Sequence, residues 1–74
     1  MKISEVTRER VAAYLKLEAD EYDSNLLQAV MDAAKQYILD VTGLPEHSEE
    51  GDDIDSYPDL TIAFLVLCQD MFDN

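Results

Sequence analysis

From Ser24 to Thr42 the chain contains neither glycine nor proline, and its apolar residues recur with the period of an α-helix. At about 100° per residue, Leu26, Leu27, Val30, Met31, Ala33, Ala34, Tyr37, Ile38 and Val41 project onto one broad stripe. Gln28, Asp32, Lys35, Gln36 and Asp40 fall on the other side. A stripe this long fixes a central amphipathic helix over 24–42, and everything else must pack against it. Asp23 precedes the helix as an N-cap whose charge suits the positive end of the helix dipole, and Tyr22 with Leu27 can staple the chain there. Gly43 supplies the left-handed residue that ends it, which makes Leu39 and Leu44 the touching pair of a Schellman motif. Pro45 blocks continuation.

Two further helices flank the central one. The first is expected over about 8–16, capped by the Thr7 hydroxyl and stapled by Val6 and Val11; Val11, Tyr14 and Leu15 form its buried edge. The third opens at Pro58, the favoured first helical position for proline, and runs to about residue 73. Leu60, Phe64, Leu67 and Met71 make one face of it, and Leu65, Cys68 and Phe72 widen that face. Ile62 and Val66 lie on the far side, beside Asp59, Gln69, Asp70 and Asp73. A helix that is apolar nearly all round calls for burial on more than one side, which two partner helices can hardly supply. The fold class is all-α: a small three-helix domain with a long central amphipathic helix. Tyr37, Ala34, Val30, Leu67, Phe64 and Leu60 are the expected core. The connection over 45–57 carries Glu46, Glu49, Glu50, Asp52, Asp53 and Asp55 with Ser48 and Gly51, and is expected to be exposed and mobile.

At 74 residues the chain is one domain, with a core that rarely supplies more than about 3–5 kcal/mol by itself. A single cysteine, Cys68, excludes an internal disulfide, so a partner surface is the expected supplement. The N-terminal residues have no apolar run behind them, and the longest such run, Ile62 to Cys68, falls far short of the roughly 20 residues of a membrane span. A soluble protein is expected. Net charge is −12, unevenly placed: residues 1–16 carry Lys2, Arg8, Arg10 and Lys16 against Glu5 and Glu9, whereas 17–74 carry only Lys35 against fifteen acids. Sequence-specific nucleic-acid binding is not expected, because phosphate contacts need clustered cations.

No residues pair as nucleophile and base. His47 is the only histidine and stands in the acidic connection, where no pocket would position a substrate. Cys68 sits inside an apolar run, the setting of an inert thiol. The acids of 46–55 break the calcium-loop pattern: counted from Glu46, Gly51 is sixth, but Tyr57 stands where the bidentate glutamate belongs. Tyr14, Tyr22, Tyr37 and Tyr57 lack the cations of a base-stacking platform. No catalytic residue, cofactor or metal is expected. Asp23-Ser24 at a helix start invites comparison with acyl carrier proteins modified on serine, but Asn25 replaces the leucine of that motif and capping accounts for Asp23. A decoy for a basic protein is the other reading of the acidity; it predicts strongly salt-sensitive binding.

One family covers nearly the whole chain. Leu26-Leu27, Ala33-Ala34-Lys35-Gln36-Tyr37-Ile38, Thr42-Gly43 and Tyr57-Pro58-Asp59-Leu60, followed by Ala63, Leu65, Leu67, Phe72 and Asn74, resemble the head–tail connector (adaptor) proteins of tailed bacteriophages, also labelled DNA-packaging proteins. In that family a short Thr-led helix, an acidic turn, a long helix ending at Thr-Gly, an acidic loop and a third helix opened by Tyr-Pro follow in this order. The resemblance implies a non-enzymatic virion protein at the head–tail junction. Copies would form a ring on the portal protein after DNA packaging and offer a platform to tail-side connector proteins. Members continue past the third helix, so the resemblance implies either a C-terminal segment beyond Asn74 or a shorter relative. Either that segment or a neighbouring subunit would cover Ile62 and Val66, with Leu65 and Phe72 between them and the core, and these four residues are the expected interface.

Overall fold

The computed structural model describes residues 1–18, 20 and 22–73. Glu21 of the first connection and the terminal Asn74 lie outside the described residues. Three α-helices form: α1 over Arg8–Tyr14, α2 over Ser24–Thr42 and α3 over Pro58–Asp73, with single 3₁₀ turns at Ile3–Glu5 and Ile54–Ser56. The fold is all-α, and no strand occurs among the described residues.

The ends of α2 and α3 are set by local chemistry. Asp23 accepts the Asn25 N–H at 2.8 Å, and Gly43 ends α2 in the left-handed region at φ 70°. The cap differs from the expected Schellman motif. The Gly43 N–H bonds Leu39 O, whereas the Leu44 N–H turns to Thr42 Oγ1, whose hydroxyl donates to Ile38 O. That single backbone bond is the simpler left-handed cap.

α1 is shorter than the expected 8–16. Thr7 caps it by accepting the Arg10 N–H, but Lys16 adopts φ 60°. Its N–H bonds Ala13 O and the Leu17 N–H bonds Ala12 O, so the Schellman motif occurs here, with lysine at the left-handed position. The turn directs Leu17 back onto the core.

The core joins Val11 and Ala12 of α1, Leu27, Met31, Ala34 and Ile38 of α2, and Phe64 and Cys68 of α3. Ile3, Val6 and Ile54 complete it from outside the helices. Of the expected core, Ala34 and Phe64 are buried, Val30, Leu60 and Leu67 are half-buried, and Tyr37 is 51 % exposed. The correction has a physical cause. The stripe on α2 is wider than the face that α3 and α1 cover. The buried line therefore runs through Leu27, Met31, Ala34 and Ile38, with Leu39 half-buried beside it. Leu26, Ala33, Tyr37 and Val41 are left in solvent.

The acidic connection is exposed over most of its length, as expected, but anchored at one point. Asp53 and Ile54 are buried, and the Ile54 N–H bonds Pro45 O at 3.1 Å. Asp53 accepts from the Ser48 N–H, the Asp55 N–H and the Ser56 hydroxyl, while its own N–H donates to Ser56 Oγ. The N-terminal turn docks on the same region: the Ser4 N–H reaches Asp55 Oδ1, and the Thr61 hydroxyl donates to Met1 O.

Candidate interaction surface

The molecule measures 42 × 21 × 19 Å, and a helix with its side chains is about 10–12 Å across. α3 packs against α2, α1 and both 3₁₀ turns, and its remaining surface faces solvent. Phe64 and Cys68 point into the core with Thr61 buried beside them, and Leu60, Leu67 and Met71 are half-buried. Directly opposite, Ile62 is 66 % and Val66 42 % exposed. Leu65 and Phe72 are half-buried on the flank. Of the four expected interface residues, Ile62 and Val66 stand on the outer surface, whereas Leu65 and Phe72 pack partly against the core. An apolar side chain left in water forgoes about 25 cal/mol per Å².

The remaining singled-out residues do not converge. Ser24 is exposed at the first position of α2. His47 is exposed, and its Nδ1 stands 3.9 Å from Asp53 Oδ2. Cys68 is fully buried, and desolvation pushes its thiol up to about 11, which leaves it protonated and unreactive at neutral pH. Among the described residues no three His, Cys, Asp or Glu side chains are placed to hold a metal ion. No helix among them is long and apolar enough to cross a membrane. A cleft of about 310 Å³ lies between α1 and α2 over Met31 and Phe64, with Arg8 and Lys35 at its edge. Lys35 is paired with Glu46 at 3.6 Å.

Sequence reasoning missed the hub at Asp53. Its carboxyl is held below the usual carboxylate range, first by the Ser48 N–H and then by the Ser56 hydroxyl and Asp55 N–H, against an opposing effect of burial. The signal was present in Asp53-Ile54-Asp55-Ser56, an acidic cap with a hydroxyl three residues on, which is the spacing of a reciprocal cap. It also missed that Leu26, Tyr37 and Val41 would be outside. Comparison of the chain with family models, with curated proteins and with solved structures returns no match.

Proposed function

We propose that the chain is a structural assembly protein of the head–tail connector type. It would bind the portal after DNA packaging and present a platform for tail attachment, without catalysing a reaction. The observation that carries the reading is the outer face of α3, where Ile62 and Val66 stand in solvent on a helix whose other side is core. Exposed apolar patches of this kind mark contact surfaces. The order of segments that resembles connector proteins supports the same conclusion from a different direction. The occupant in this reading is a neighbouring copy. Head-to-tail contact between identical subunits closes into a ring when its rotation allows. A charge of −12 per copy opposes assembly, so moderate salt or a portal template favours it.

The test is Ile62→Asp with Val66→Asp, on the side of α3 away from the core. Circular dichroism should show unchanged helix content, and sedimentation velocity should show loss of higher assemblies. A variant that folds and assembles like the parent would remove α3 as the contact surface.

A further inference from the structure

The outer face of α3 is one half of a contact, and the distribution of charge over the molecule points to the other half. Asp59, Ile62, Val66, Asp70 and Asp73 follow one another at helical spacing on that face, and all are exposed. The face is therefore apolar at its centre and acidic at both ends, and α3 carries no cation anywhere. A surface that covers Ile62 and Val66 must also meet those carboxylates, so an acidic surface is excluded by like-charge repulsion.

On a second copy this requirement removes most of the molecule. Residues 17–74 hold fifteen acids and one cation, Lys35, which already pairs with Glu46 at 3.6 Å. The exposed apolar side of α2, with Leu26, Tyr37 and Val41, is bordered by Asp40 and offers no counter-charge. What remains is the cleft of about 310 Å³ between α1 and α2, where Met31 and Phe64 form an apolar floor and Arg8 and Lys35 stand at the edge against one acid, Glu9. Arg8 is exposed and makes no ion pair among the described residues. An apolar floor with a cationic edge matches an apolar centre with acidic ends. The two patches also lie on different sides of the subunit, since Phe64 is about 160° round α3 from Ile62. Contact between two different patches is what a head-to-tail arrangement requires.

We infer that the outer face of α3 docks on the α1–α2 cleft of the next copy, with Arg8 receiving an acidic end of the helix. The inference rests on the assembly reading above and adds the acceptor surface to it. It also accounts for association between copies that each carry −12. Repulsion between whole molecules is screened beyond about 8–10 Å at 0.1–0.15 M salt, whereas a contact pair lies inside that length.

The test is sedimentation velocity on the full chain, with variants matched in net charge. Arg8→Glu is compared with Arg10→Glu, which lies about 200° round α1 and does not line the cleft. Asp59→Lys with Asp73→Lys is compared with Glu49→Lys with Glu50→Lys in the exposed connection. Arg8→Glu should raise the concentration at half-assembly at least about tenfold over its control, and so should the α3 pair over its own. A chain carrying Arg8→Glu, Asp59→Lys and Asp73→Lys together should recover at least about tenfold over Arg8→Glu. Circular dichroism checks folding, and Arg8→Gln or Asp59→Asn with Asp73→Asn replaces any reversal that loses helix. If Ile62→Asp with Val66→Asp abolishes assembly while Arg8→Glu assembles like Arg10→Glu, the inference falls and the assembly reading stands. Loss of assembly in Tyr37→Glu instead would move the acceptor to α2. A triple variant as weak as Arg8→Glu would also overturn the inference, and a parent that never assembles overturns both.

Discussion

Lys16→Gly is expected to stabilise the protein, against the usual direction of a substitution to glycine. Lys16 is the sole non-glycine residue with positive φ among those described, at 60°. An L-residue there meets the following carbonyl through its Cβ at a cost of about 1–2 kcal/mol, and glycine does not. Glycine also gains freedom in the unfolded chain, worth about 0.4–1 kcal/mol in the opposite sense. The lysine side chain is exposed and makes no ion pair among the described residues, so little else is lost. The backbone bonds to Ala12 O and Ala13 O do not need it. The net gain is about 0.5–1 kcal/mol, or a rise in Tm of about 2–8 °C for a domain of this size. Thermal melts at matched salt measure it, with Lys16→Val as the control. A β-branched residue with positive φ is a steric outlier, so its Tm should fall. A glycine variant that melts below the parent, or a valine variant that melts with it, would refute the left-handed turn and the path of Leu17 back to the core.

Ala34→Asp places a carboxyl at a fully buried point of α2. At about 3–5 kcal/mol, an unpaired buried charge matches the whole stability expected of a chain this small, so circular dichroism should show an unfolded protein; a wild-type melting curve would contradict the α2 face described. Asp53→Asn should destabilise at neutral pH by weakening the acceptors that hold the 3₁₀ turn at Ile54–Ser56. Because the folded carboxyl lies below its usual range, its contribution is fully present above the unfolded value near 3.9 and is lost as pH falls through the folded one. Urea melts of parent and variant should therefore converge on acidification below about pH 4, and a gap constant with pH would contradict the role given to the ionised group.

The boundaries of α2 and α3 were legible because they depend on neighbours in sequence: Asp23 as a cap, Gly43 as a left-handed stop, Pro58 as a first residue. The outward position of Ile62 and Val66 was legible for a related reason, since helical periodicity sets them opposite Phe64 and Cys68 once that side is the core. What could not be read was long-range. The Ser4–Asp55 and Met1–Thr61 hydrogen bonds span 51 and 60 residues, and they bring Ile3 and Ile54 into the core. Which part of the broad α2 stripe is covered depends on where α3 and α1 pack against it, and there Leu39 is half-buried while Tyr37 stays out. The stripe specifies helix and face, but its width of about half the circumference leaves the centre of burial to tertiary contacts. The early end of α1 was missed because lysine is a poor signal for a left-handed residue.

If the chain works by assembling, as proposed, the mass of the particle it forms is the deciding quantity. Sedimentation velocity of the parent should be run over rising concentration in moderate salt, with and without portal rings. A discrete closed species at a whole-number multiple of the 8.4 kDa subunit is expected, favoured by salt and by the portal. A chain that never exceeds a dimer at any concentration or salt, and does not sediment with the portal, would contradict it.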